Sequence, residues 1–149
     1  MRALILPALL MASAVFAKPV FTATCGTPVG TRCDQVNSTL VEKPDGFDGV
    51  NPTFIIDDQR STKITYIWGP AEWARNELKM KAAAQEAIII SMTVDKITAI
   101  AVEGDNGITK MFSLFPKKGL VLFSQHRYID LAGGVPTVGT FHAKCSFSE

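Results

Sequence analysis

The chain has 149 residues, and its 15 Lys and Arg against 14 Asp and Glu leave a formal charge of +1, with no basic run longer than the pair Lys117-Lys118. That balance excludes the clustered positive field by which a protein holds nucleic acid or an anionic membrane surface. The length suits one domain with a true hydrophobic core and is short for two.

The amino terminus, MRALILPALLMASAVFA, carries Arg2 and then an apolar run that ends in small residues. This is the pattern of a secretory signal peptide over 1–17, with Val15 and Ala17 small enough for the peptidase pockets and the cut before Lys18; a cut after Ala14 is the alternative. A membrane anchor needs about 20 apolar residues, and Lys18 and Pro19 interrupt this run. Removing 17 residues from 149 leaves 132, expected to be exported to a periplasm or the extracellular space with no transmembrane segment.

Residues 18–52 are rich in Gly, Pro, Thr, Asp and Asn, and KPDGFDGVNP reads as consecutive turns. We expect an extended arm that carries Cys25 and Cys33. Three cysteines in an oxidising compartment make one pair and one leftover thiol. Cys145 lies in FHAKCSF, where alternation places it on the apolar face of a strand. Two pairings stay open: Cys145 with Cys25 or Cys33, tying the arm to the last strand, and a local Cys25–Cys33 clip around CGTPVGTRC.

The β-rich globular domain is expected over 53–149. TFIIDD (53–58) and KITYIWG (63–69) make a first hairpin. Pro70 then opens PAEWARNELKMKAAAQEA, a predicted helix over 70–87 with Glu72 in its first turn and a stripe through Trp73, Met80, Ala84 and Ala87. AIIISMTV (87–94), KITAIAVEG (96–104), ITKMFSLF (108–115), GLVLFSQHRY (119–128) and VGTFHAKCSF (138–147) follow as strands. Asp105-Asn106-Gly107 and Phe115-Pro116-Lys117-Lys118-Gly119 are tight turns, and LAGGVPT (131–137) is a crossover or lip. Near Pro116 the hairpin is apolar on both faces, Phe112 and Leu114 against Met111 and Phe115, so the helix is expected to cover the second face. The sum is a mainly β (α+β) fold: an antiparallel meander of about seven strands, closed into a small barrel or strongly bent sheet, with one packing helix.

Few residues suggest chemistry. His126 as general base, Arg127 as anion binder and Tyr128 beside them form one candidate set, with Asp130 to orient the imidazole. On a strand His126 and Asp130 stand two full repeats apart, about 13 Å, so catalysis there needs a bend. His142 alternates away from the apolar face. Two histidines in no ligand spacing give no metal site, and the Asp-rich turns lack the alternating oxygen ligands and closing glutamate of a calcium loop. No phosphate loop or nucleophile elbow is present, and no cofactor is implied. Asn37-Ser38-Thr39 has the form of a glycosylation acceptor, relevant only in a eukaryotic secretory route. Tyr66, Trp68 and Trp73 bracket the Gly69-Pro70 break as a candidate binding cluster, the alternative being that both tryptophans pin the helix to the sheet.

The order of features, a signal peptide, a Gly/Pro-rich arm with cysteine, SLFPKKGLVLFSQHR and a terminal GTFHAKC, resembles small exported proteins of unknown function in Gram-negative bacteria. That resemblance implies a periplasmic or secreted β-rich domain and brings no assigned activity. Periplasmic lysozyme inhibitors are comparable in size, export, β-rich architecture and disulfide use, but no inhibitory loop motif is found in this chain. Binding rather than catalysis is the expected role, with a protein, an envelope component or a small apolar ligand as partner. The rivals are a small hydrolase-like enzyme using His126, and a structural envelope protein linked through the leftover cysteine.

Overall fold

A computed structural model describes residues 20–58, 60–70, 72–104, 107–129 and 135–148. The signal peptide lies outside these residues, as do Asp105 and Asn106 of the predicted turn and 131–134 of the predicted lip.

Among the described residues ten strands form one antiparallel sheet: β1 (Phe21–Cys25), β2 (Val29–Val36), β3 (Thr39–Gly46), β4 (Thr53–Ile56), β5 (Lys63–Trp68), β6 (Ala83–Met92), β7 (Ile97–Glu103), β8 (Ile108–Phe115), β9 (Leu120–Ile129) and β10 (Val135–Ser148). Eight of them, in the order β1-β4-β5-β6-β7-β8-β9-β10, close on themselves where β1 pairs with β10. Closure removes the free edges that an open sheet would leave. The closing seam sets Ala23 opposite Phe147 and Cys25 opposite Cys145, and the latter pair is the disulfide, bridging positions 120 residues apart. Cys33 is the free thiol.

Alternation explains the interior. Phe54, Ile64, Tyr66, Phe112, Leu114, Val121, Phe123 and Phe141 point inward from their strands, and Ala23, Ala87, Ala99, Ala101 and Ala143 make room between them. Phe112 lies 5.2 Å from Phe54 and 4.9 Å from Tyr66, while Phe47, from the β3–β4 link, reaches in to meet Phe141 at 4.8 Å and Trp68 at 5.1 Å. An eight-stranded barrel is just wide enough for side chains to fill, and this one is filled by aromatic rings. Its outer face mixes Thr22, Thr24, Thr65, Thr109, Ser113 and Ser124 with the exposed Ile88, Val102, Met111 and Leu122.

Three expectations are corrected. The 18–52 segment is no loose arm: it supplies β1, β2 and β3, with β2 pairing along Thr137–His142 of β10. Gly30 is what allows that approach, since a Cβ there would stand 1.9 Å from the Thr140 carbonyl oxygen. Asn37 and Ser38, both at positive φ (48° and 65°), form the two-residue turn between β2 and β3. Pairing alternates from the closing pair Val36 and Thr39, so Pro44 falls where its missing N–H faces the open edge of β3; it blunts that edge and breaks no ladder bond.

The helix is α1 (Glu72–Leu78), not 70–87. Lys79 turns to φ 54° and the Met80 N–H reaches back to the Ala74 carbonyl, ending it. Residues 83–87 favour helix intrinsically, yet Ala83 and Ala84 pair with Trp68 and Ile67, without which β5 would lose a partner along its length. Barrel closure overrides propensity. Nor does α1 cover the outer face of the β8–β9 hairpin, where Met111 and Leu122 are exposed. It sits instead against the β3–β4 link, with Glu72 N–H on the Asp48 carbonyl and Arg75 Nη2 on the Gly49 carbonyl.

Candidate functional site

One end of the barrel carries a layer of inward-facing charge. From β7 and β8 come Glu103 and Lys110, and Lys110 is only 6% exposed. Its ammonium bonds Glu103 Oε1, which also accepts the Tyr66 hydroxyl at 2.9 Å, and the same ammonium stands 5.6 Å from the Tyr66 and Trp68 ring centres. Burial first, then the Glu103 carboxylate as hydrogen-bond partner and charge, raise the Tyr66 pKa far above the ordinary phenol value.

Beside them β2, β3, β9 and β10 bring together a second group. Asp34 accepts from Lys43 at 2.8 Å, from Arg32 at 3.1 Å and from the Thr137 hydroxyl at 3.0 Å. Arg32 also reaches Asp45 at 3.2 Å. The Lys43 hydrogen bond is the main cause that holds the Asp34 carboxyl below its usual pKa, assisted by Thr137 and Arg32 and opposed by burial. Arg127 follows Val121, Phe123 and Gln125 along the inner face of β9, half-buried. Desolvation and then the neighbouring Arg32 lower its pKa, with Asp45 and Asp34 opposing.

The opposite end is apolar. Val20, Phe21, Ile56, Met92, Thr93, Val94, Ile97 and Pro116 line an open cup of about 420 Å³ with no charged side chain among them. Phe21, Ile56 and Ile97 form its floor, buried in the core cluster, while Met92 and Val94 are exposed at its rim.

The predicted site residues separate. Val138 is register partner of both His126 and Cys33, so imidazole and thiol flank it on the outer face, about 10 Å apart at two strand spacings. They share a shallow, mostly apolar groove with Gln35, Leu40, Arg127, Tyr128 and Pro136. Along β9 Arg127 alternates with His126 and Tyr128, yet all three border this one groove; Asp130 lies outside the described residues. Tyr66 is fully buried and Trp68 half-buried against Phe123 at 4.8 Å, which makes them core rather than an exposed binding cluster. The side chain of Trp73 falls outside the described part of the structure. Among the described residues no group of three or more His, Cys, Asp or Glu is placed to hold a metal ion.

Sequence reasoning missed the charge layer. Lys110 shares strand parity with Phe112 and Leu114, and Arg32 with Asp34, but the first looked like an ordinary strand end and the second lay in the presumed arm. No protein-family model matches the chain, and neither a curated protein nor a solved structure is found to be similar to it.

Proposed function

We propose that the chain is an exported, non-catalytic binding protein, periplasmic or secreted as its resemblance implies, that takes a small apolar ligand in the open mouth of its barrel. The observation that carries this reading is the cup of about 420 Å³ lined by Phe21, Ile56, Met92, Val94 and Ile97. Its volume lies in the range of small-molecule sites, and its apolar, concave lining suits a neutral ligand. The aromatic filling of the barrel leaves the mouth, rather than the lumen, as the place for that ligand.

A neutral fluorescent probe, N-phenyl-1-naphthylamine, tests this. Saturable binding is expected with the wild type, and Met92→Lys and Val94→Glu, both at exposed rim positions, should weaken it at least about tenfold by placing a charge in an apolar site. Binding that is absent, or that ignores both substitutions, contradicts the reading.

A second reading is covalent assembly through Cys33, whose free thiol stands beside the exposed Leu40 and Tyr128. A dimer on a non-reducing gel that Cys33→Ser abolishes would favour it; a wholly monomeric oxidised protein would remove it.

A further inference from the structure

We propose that a second copy of this chain docks on the outer face of β6, β7, β8 and β9, so that two barrels pack wall to wall as a non-covalent twofold dimer.

That wall is built by register. Ile88, Ile100 and Met111 are direct partners across β6, β7 and β8, and Leu122 joins them from β9 as the partner of Ser113. Between Ile89 and Ser91 the β6–β7 ladder shifts by one residue. This bulge adds Ile90 to the wall while Ile89 stays opposite Ala99 and Met92 opposite Ile97. Ile88 is 60% exposed, Ile90 59%, Val102 71%, Met111 45% and Leu122 42%. Together they leave bare roughly 500 Å² of apolar side chain, near the top of what monomers expose. Doubled across a twofold, that reaches the roughly 1,000 Å² a specific interface must clear. The one helix that could have covered the wall, α1, sits against the β3–β4 link instead.

Charge favours a second copy over other occupants. The outward residues of β7 are Thr98, Ile100 and Val102, and those of β8 are Thr109, Met111, Ser113 and Phe115, none of them ionisable. The margin on β5 and β6 holds Lys63 and Glu86, which neutralise each other at 2.6 Å. A twofold contact sets a face against itself, and this one meets itself with no like charges opposed. A lipid surface would instead require unpaired cations and Trp or Tyr among the apolar side chains. The outward residues of β6, β7 and β8 supply neither.

Sedimentation velocity of the Cys33→Ser protein along a dilution series gives the test, since no dimer seen there can be a Cys33 disulfide. A reversible equilibrium between monomer and dimer is expected. Ile88→Lys and Val102→Glu, both at exposed positions, should each weaken it at least about tenfold by setting an unpaired charge in an apolar contact, and Leu40→Lys, exposed on the distant β3, should leave it intact. Should a wall variant fail to fold, the methyl resonances of the unsubstituted wall supply the second readout: those of Ile88, Ile90, Met111 and Leu122 shift on dilution, and those of Leu40 and Val138 do not. A monomer at every concentration, a dimer that ignores both wall substitutions, or a dimer lost in Leu40→Lys would each overturn the inference. So would a monomer that binds phosphatidylcholine vesicles through the same wall, with Ile88→Lys and Val102→Glu abolishing that binding.

Discussion

Lys110 and Glu103 are a nearly buried ion pair whose worth lies in what happens when it is broken. Removing one partner leaves the other charge desolvated, whereas replacing both with apolar side chains is often neutral. Glu103→Gln should therefore lower unfolding stability by about 3 kcal/mol in urea titration, and Glu103→Leu combined with Lys110→Met should recover most of that loss. Asp34 gives a separate, pH-dependent signature. Its folded pKa is depressed below 3.8, so its contribution is fully present above that value and is lost as pH falls through the folded pKa. Acid unfolding followed by circular dichroism should show a shallower stability loss below pH 3.8 in Asp34→Asn than in the wild type; an unchanged acid limb would mean the Lys43, Arg32 and Thr137 contacts do not discriminate the charged form. At this scale the sequence showed the strand parity of Lys110 but not its partner, and it showed neither for Asp34, which lay in the expected arm. Asp34 meets Thr137 across 103 positions of chain, a contact that no local pattern encodes.

At the scale of elements, the strands from Thr53 onward follow from β-branched and aromatic alternation, and ITKMFSLF matches β8 from end to end. β2 and β3 escaped notice because VGTRCDQV and TLVEKPDG mix Gly, Pro and charge. Their strand character comes from a two-residue turn and from β10, not from side-chain propensity. The helix was overextended for the converse reason, its alanines being good helix formers that barrel closure commits to β6. Gly30 is the element-scale test: Gly30→Ala should detach the β2–β3 hairpin while the barrel persists, seen as faster amide exchange confined to 29–46. Uniformly faster exchange would mean instead that the hairpin and barrel unfold as one unit.

For the molecule as a whole, a closed barrel filled by side chains makes the two ends its distinctive surfaces, one apolar and one charged. The Cys25–Cys145 bridge locks the seam that defines both. On the chain-entropy model a loop of this size contributes about 4 to 5 kcal/mol, so the double substitution Cys25→Ser/Cys145→Ser should lower stability by that order in guanidinium unfolding, with Cys33→Ser close to neutral. The mainly β fold class was legible from length and alternation, whereas barrel against bent sheet, and the arm bridge against the local Cys25–Cys33 clip, were alternatives that only the structure separates. The cup was not legible, because its lining comes from strand ends and connections spread between Val20 and Pro116, brought together only by closure.

Amide and methyl chemical-shift mapping of the oxidised protein during titration with N-phenyl-1-naphthylamine is the measurement that bears most directly on ligand binding at the barrel mouth. Saturable shifts at Val20, Phe21, Ile56, Met92, Val94 and Ile97, with the charged end silent, are expected. Shifts centred instead on Leu40, Tyr128 and Val138, or no saturable shifts anywhere, would contradict it.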